Sequence, residues 1–199
     1  MTRTGESLLF ILSGPAGSGK TTLCHRLLSE FKNLHRAVTA TTRNPREGER
    51  DGRDYYFQST DEFKRKQQNG EMLEWALVHG RAYGTPAEEV RQHFHRGEDV
   101  LLSIDVQGMR QIKERTHDTT WLSSRVVTIF ILPASLDELR NRLQKRGSDD
   151  LEEIERRITT AEIELRAAGE FDYLLQTRSR EEDFDRMRAI YLSEKMRSR

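Results

Sequence analysis

Eight consecutive residues, Gly14-Pro15-Ala16-Gly17-Ser18-Gly19-Lys20-Thr21, carry the densest chemistry in the chain. They fit G-x-x-x-x-G-K-[ST], a glycine-rich turn whose backbone N–H groups wrap a phosphate chain. The lysine of such a loop reaches the β and γ phosphates, and the hydroxyl after it ligates Mg2+. Lys20 and Thr21 hold those two places, and Thr22 completes the group expected around a triphosphate. The loop works only between a strand and a helix, because the helix N-terminus adds positive potential. Leu8-Leu9-Phe10-Ile11-Leu12 reads as a buried strand before it. Leu23, Leu27, Leu28 and Phe31 recur at helical spacing after it, over Thr22 to Phe31. These flanks argue against the bland alternative, a glycine turn that binds nothing, and a nucleoside triphosphate is the expected ligand.

The elements that must hold this loop follow from the apolar pattern. Strand candidates Leu8–Leu12, Val100–Ile104 and Val126–Leu132 alternate with helical stretches, which predicts an α/β fold with a parallel sheet. Two segments interrupt the alternation. The first, about Val38 to Glu88, is rich in Thr, Arg, Gly and Tyr, with turn signals at Asn44-Pro45, Asp51-Gly52 and Asn69-Gly70. It reads as a small insert with short strands. The second begins at Ser135, which forms a capping box with Glu138 before the apolar stripe Leu136, Leu139, Leu143; Gly147 is expected to end that helix. A further helix is expected over Asp150 to Ala168, with Ile154, Ile158, Ala161 and Leu165 on one face. A last one, Arg180 to Met196, packs back through Phe184, Met187, Ile190 and Tyr191.

Composition narrows the setting. The 199 residues suit one globular unit, and 33 basic residues balance 33 acidic ones, so no global pull toward nucleic acid or membrane follows. Cys24 is the single cysteine, which excludes an intrachain disulfide and reads as a small packing residue. Leu8–Leu12 is too short to span a bilayer or to act as a secretory core, and a reducing cytoplasm is the expected location.

The insert says more than the loop. Thr39-Ala40-Thr41-Thr42-Arg43-Asn44-Pro45-Arg46-Glu47-Gly48-Glu49 and Gly52-Arg53-Asp54-Tyr55-Tyr56-Phe57 closely resemble the GMP-binding signature of guanylate kinases. The resemblance continues through Glu71-Met72-Leu73-Glu74-Trp75-Ala76 and Tyr83-Gly84-Thr85. It resumes at Ile104-Asp105-Val106-Gln107-Gly108 and Arg142-Leu143-Gln144-Lys145-Arg146-Gly147, so it spans nearly the whole chain. It implies a P-loop NTPase-type parallel sheet flanked by helices, a small mixed β/α GMP-binding insert and a helical lid. The corresponding divisions are 1–37, 89–134 and 169–199 for the core, 38–88 for the insert and 135–168 for the lid, within one region over 5–195.

The implied activity is transfer of the γ-phosphoryl group of ATP to GMP, with Mg2+ as cofactor. The implied ATP site is Gly14 through Thr22, namely Gly14, Pro15, Ala16, Gly17, Ser18, Gly19, Lys20, Thr21 and Thr22. Arg43 and Arg46 would grip the acceptor phosphate through contacts that Lys could not reproduce, with Tyr55 and Tyr83 donating hydroxyls to it. Glu74 would read guanine, since an ionised carboxylate accepts two N–H groups where adenine presents an acceptor. Thr39, Gly84, Thr85, Ser103 and Asp105 complete the implied GMP site. Lys20, Arg46, Arg146 and Arg157 are the implied catalytic charges, the last two from a lid that closes over the reacting groups. Thr21 and Asp105 are the implied Mg2+ residues, Asp105 through water. Arg142 is a supporting contact, and Arg140 and Arg156 read equally well as a solvated face. Attack by an ionised phosphate oxygen needs no general base.

Two positions depart from the family pattern. Ser103 stands where an acid is usual before Asp105, which removes a carboxylate near guanine and metal. Thr177-Arg178 replaces the Asn-Asp pair near adenine, where Arg178 could stack on the ring. Of the six histidines, His93 and His95 sit two apart on a predicted helix, the wrong spacing for a shared face, so no transition-metal site is expected. Nucleic-acid and membrane partners are not expected, and the chain could be a monomer or a homodimer. The competing classes are a catalytically inactive guanylate-kinase-like interaction module, which characteristically lacks a working phosphate loop, and a P-loop kinase for another phosphorylated molecule.

Overall fold

A computed structural model describes residues 6–78, 80–146 and 150–198, with the side chain of residue 146 outside the description. Strand β1 (Leu9–Ser13) is buried along its whole length and lies at the centre of a five-stranded parallel sheet. Its neighbours are β7 (Asp99–Ser103), flanked by β2 (Leu34–Arg36), and β8 (Val126–Leu132), flanked by β9 (Tyr173–Gln176). A strand covered on both faces reads as an unbroken apolar run, which is why Leu-Phe-Ile-Leu forms one. Alternate side chains feed two cores. Leu9 and Ile11 join Val100 and Leu102 under helices α3 (Ala87–His95) and α4 (Val106–Asp118). Phe10 and Leu12 join Leu101, Ile129 and Ile131 under α1 (Lys20–Glu30) and α7 (Arg180–Met196).

Register matters for the site. Leu12 pairs with Ser103 and Ser13 with Phe130, so the carboxyl ends of β1, β7 and β8 reach the same rim. Ligands of open parallel sheets bind beyond that rim. At the opposite end, buried Asp99 accepts from Leu8 N at 2.8 Å, Tyr191 Oη at 2.7 Å and Lys195 Nζ at 2.9 Å. That carboxylate fastens α7 to the two central strands, and its burial is tolerable because it is fully hydrogen-bonded and paired.

A second sheet has the order β4 (Tyr56–Phe57), β3 (Ala40–Thr41), β6 (Arg81–Pro86), β5 (Met72–Val78). Helix α2 (Thr60–Gln68), capped by Ser59 Oγ accepting from Glu62 N, drives Phe63 between Ala40 and Met72. A Cβ at Gly84 would lie 2.7 Å from Glu74 O and 3.1 Å from Phe63 Cζ, so the hairpin closes over that helix only with glycine there. The outer edge of β5 is covered by Gln111 of α4, whose Oε1 accepts from Trp75 N at 3.0 Å while its Nε2 donates to Trp75 O at 2.9 Å. One side-chain amide thus stands in for a neighbouring strand and ties the second sheet to the first.

Helices α5 (Leu136–Arg146) and α6 (Leu151–Arg166) enclose a small core of Leu139, Leu143, Ile154, Ile158 and Ala161. Ser135 Oγ accepts from Glu138 N at 3.0 Å, one half of the capping box expected from sequence; the Glu138 carboxylate pairs instead with Arg142 one turn on. Gly147 lies outside the described residues. Several element ends differ from the sequence expectation. Helix α1 begins at Lys20 rather than Thr22, because Gly19 at φ 104° is the turn itself. Strands β1 and β7 each sit by one residue from the expected bounds, and α6 gives way at Ala167 to a short 3-10 turn, Ala168–Glu170.

Candidate functional site

The phosphate loop is shaped by glycines that no other residue could replace cheaply. Gly14, Gly17 and Gly19 have φ of 139°, 87° and 104°. A Cβ at Gly14 would stand 2.5 Å from Ile131 O, inside the neighbouring strand end. Lys20 opens α1, and its Nζ donates back to Gly14 O and to Pro15 O, the latter at 2.9 Å. The ammonium is therefore parked over the loop whose N–H groups would face a phosphate. Ser18 Oγ is buried there without a hydrogen-bond partner, and Thr21 and Thr22 are exposed at the start of the helix. Leu139 and Leu143 of α5 come within about 3.2–3.3 Å of a Cβ built on Gly17, so the helical pair leans directly on the loop.

Outside the loop a cleft of about 390 Å³ is lined by Gly17, Ser18, Gly19 and Thr22 with Arg26, Arg142, Lys145, Arg178 and Arg180. Five cationic side chains around a phosphate loop suit a polyanion. Arg178 is held there through its backbone N, which donates to Asp183 Oδ1 at 2.7 Å.

A second cleft, about 370 Å³, opens on the other side of Lys20 between the two sheets. It brings together Thr39, Tyr55, Glu74, Tyr83, Gly84, Ser103 and Asp105, all singled out in the sequence. Glu74 is 5 % exposed, and its Oε1 accepts from buried Thr85 Oγ1 at 2.5 Å. Burial pushes its pKa up to about 7; the Thr85 hydrogen bond opposes the rise and the charge of Asp105 adds to it. Gly108 gives Glu74 room, since a Cβ there would lie 2.9 Å from Glu74 Oε2. Asp105 caps α4, its Oδ1 accepting from Gly108 N at 2.8 Å. Its carboxylate is thus oriented by the fold before any ligand binds.

Beside this cleft Arg43 forms a two-pronged pair with Glu49, with NH1 to Oε2 and NH2 to Oε1 both at 2.9 Å. The Arg43 guanidinium, with help from Arg46 N, holds Glu49 down to about 2. It also lies 5.3 Å from the Tyr55 ring, and Tyr55 and Tyr83 meet edge to face at 6.1 Å. Arg43, Tyr55 and Tyr83 are therefore gathered as the sequence suggested, around a fork whose partner is an acidic oxygen pair.

The arginines expected to act on the transferring group occupy separate places in the chain. Arg46 is exposed on its loop, Arg157 Nε donates to Glu153 Oε1 at 2.9 Å within α6, and the side chain of Arg146 is outside the described residues. Arg140 bonds Glu155 across α5 and α6, and Arg156 pairs with Glu153 at 2.7 Å.

A family model described as guanylate kinase matches residues 6–194. The chain belongs to the guanylate kinase family. Among curated guanylate kinases, that of Caldanaerobacter subterraneus subsp. tengcongensis is 42 % identical over 192 residues, covering 96 % of this chain and 90 % of the relative. That of Ruegeria pomeroyi is 45 % identical over 192 residues, covering 96 % and 88 %. The crystal structure of guanylate kinase from Anaplasma phagocytophilum superposes with a TM-score of 0.73 at 33 % identity, over 100 % of this chain and 90 % of that one. The chain therefore has the α/β P-loop fold of guanylate kinases, which are nucleoside monophosphate kinases.

Several residues lining these two clefts escape a reading of the sequence. Glu164 of α6 lines the second cleft with Lys20 and Asp105; burial raises its pKa, Lys20 lowers it and Asp105 raises it. Its signal was present, because Arg157 and Glu164 are seven apart and so share one helix face. Lys145, Arg26 and Arg180 carried no such signal, and Gln111 is an ordinary helical glutamine until Trp75 is placed against it. The Cys24 thiol is buried, and burial pushes its pKa up to about 11, as suits a packing residue. No helix among the described residues is long and apolar enough to cross a membrane.

Proposed function

We propose that this chain transfers the γ-phosphoryl group of ATP to GMP, giving ADP and GDP, within purine nucleotide recycling in the cytoplasm. The observation that carries the reading is that Lys20 of the phosphate loop and the buried acid Glu74 line one cleft. A donor phosphate chain on the loop and a guanine on Glu74 would then place the two phosphates on either side of Lys20. Ionised Glu74 accepts both N1–H and the exocyclic N–H of guanine, whereas adenine would set a lone pair against a buried charge. Thr85 holds the carboxylate in place, and Thr39 offers a second hydroxyl at the cleft wall.

The acceptor phosphate replaces Glu49 on the Arg43 fork, with the Tyr55 and Tyr83 hydroxyls beside it and Arg46 swinging in from the loop. An oxygen of that phosphate attacks the γ-phosphorus in line, and the bond to the β–γ bridging oxygen breaks, leaving ADP. Lys20, Arg146 and Arg157 neutralise the charge spread over the transferring group as the lid formed by α5 and α6 closes over the reacting groups. Closure also keeps water from the γ-phosphate. The residues suit Mg2+, a hard ion that prefers oxygen: Thr21 Oγ1 at the loop and the pre-oriented Asp105 carboxylate are both oxygen donors. When bound, the ion supplies charge neutralisation on the β and γ phosphates.

The complete loop with Lys20 and Thr21 speaks against an inactive interaction module. Production of ADP with Mg-ATP and either GMP or AMP, for wild type and Glu74→Ala, tests the proposal. Turnover on GMP alone, collapsing in the variant, is expected. Equal turnover on AMP, or none on GMP despite ATP binding, would overturn it.

A further inference from the structure

Away from the nucleotide clefts, His35 of β2, His93 of α3 and Glu98, just before β7, converge on one spot. Their ligating atoms all lie within 4.8 Å of one another. His93 Nδ1 is 2.7 Å from Glu98 Oε2, and His35 Nε2 is 3.8 Å from Glu98 Oε1. The two imidazoles stack at 5.2 Å with planes 21° apart. We propose that this triad is a binding site for a divalent transition ion of the zinc class, held by His35 Nε2, His93 Nδ1 and the Glu98 carboxylate.

The chemistry of the donors selects the ion. Two imidazole nitrogens and one carboxylate suit Zn2+, Co2+ or Ni2+ and not Mg2+ or Ca2+, which prefer oxygen alone. Bonds of about 2.0–2.2 Å require the donors to sit roughly 3.3 Å apart, so His35 moves in and the close His93–Glu98 pair opens slightly, side-chain adjustments on the order of 1 Å. Three donors leave a fourth, solvent-facing position, and His35 is 39 % exposed on that side. The far nitrogen of His93 faces a carboxylate: its Nε2 lies 3.5 Å from Glu89 Oε1, close enough to tighten into the carboxylate–histidine contact that raises the basicity of a metal ligand. The spot already recruits a cation. Arg96 donates Nε to Glu98 Oε2 at 2.8 Å and brings NH2 to 2.9 Å from His93 Nδ1. Its side chain is half exposed, so an incoming ion displaces it into solvent.

The position has consequences. Glu89 also accepts from Val38 N at 2.9 Å and from Tyr56 Oη at 2.7 Å, so it joins the triad to the chain crossing from the first sheet to the second. An ion there ties β2, α3 and the start of β7 together at that crossing. The pairing departs from the sequence expectation, which compared His93 with His95; its partner lies on another strand.

The test is titration of the untagged, nucleotide-free chain with Co2+, followed by visible absorption and then by displacement with Zn2+. One Co2+ per chain with a ligand-field band is expected, and Zn2+ should raise the Tm of wild type. His35→Gln and His93→Gln should each weaken binding by at least ~10-fold and abolish the Tm shift. Arg96→Ala, which keeps every ligand and removes the competing cation, should bind more tightly than wild type. Absence of a ligand-field band, wild-type affinity in either glutamine variant, or weaker binding in Arg96→Ala would each overturn the proposal. None of these readouts requires phosphoryl transfer.

Discussion

Thr85 donates its hydroxyl hydrogen bond to Glu74 across the β5–β6 hairpin at 2.5 Å, inside a cleft wall from which both side chains are nearly shut off from solvent. That single bond opposes, without cancelling, the effect of burial, and Glu74 titrates near 7 instead of its ordinary 4.5. The acid that is proposed to read guanine is thus poised at neutral pH.

A pH dependence follows. Below its ordinary pKa Glu74 is protonated in both folded and unfolded chains and contributes nothing. Between 4.5 and about 7 only the unfolded chain ionises, so stability falls as pH rises, and above that the loss is constant. Glu74→Gln should therefore match wild type near the acid end and exceed it by on the order of 3 kcal/mol above neutrality. Urea denaturation across that range checks the sign. GMP affinity of wild type should weaken as pH falls through about 7, because the protonated acid loses an acceptor.

Arg43→Lys should raise the KM for GMP by about 10-fold or more with little change in kcat. The Glu49 pair shows a planar fork making two parallel bonds, which an ammonium cannot match. Losing charge-assisted bonds of this kind costs about 1.5–3 kcal/mol. Steady-state kinetics at saturating Mg-ATP separates the two constants.

The loop glycines should rank by what a methyl group meets. Gly14→Ala drives Cβ into the Ile131 carbonyl at 2.5 Å and should abolish ATP binding along with several degrees of Tm. Gly17→Ala meets only the leucine tips at 3.2 and 3.3 Å and should cost about 1–2 kcal/mol, mainly from its positive φ. Thermal unfolding with and without ATP distinguishes the two.

Leu143→Ala should empty the core shared by α5 and α6, where Leu143 is fully buried. A cost of about 2–5 kcal/mol is ordinary for such a deletion. Because that core is separate from the sheet cores, hydrogen exchange should quicken over α5 and α6 and remain slow in β1 and β8. Uniform acceleration would show that the helical pair is not an independent unit.

Gln111→Leu should release the edge of β5. Two hydrogen bonds worth about 1 kcal/mol each are lost, and the Trp75 amide should lose exchange protection. GMP should bind more weakly, since Glu74 lies next to Trp75 on the same strand.

Local order along the chain was enough to specify the phosphate loop, the strand and helix on either side of it, and the last helix with its packing face. Each rests on a spacing of a few residues, where backbone geometry and apolar periodicity act directly. The proposed acceptor residues Thr39, Arg43, Tyr55, Glu74, Tyr83 and Thr85 were legible for a related reason: their residue types in that order match the guanylate-kinase signature. What the fold alone decided concerns groups distant in sequence. Glu49 on Arg43, Gln111 on Trp75, Glu164 beside Lys20 and His35 against His93 are contacts, and no one-dimensional pattern encodes who faces whom across a sheet. The raised pKa of Glu74 belongs with them, because desolvation is a property of the walls around a carboxylate. The sequence by itself determined which chemical groups are available and which short elements carry them. Tertiary structure decided their distances and their exclusion from water, and those two quantities set the strength of every charge in the site.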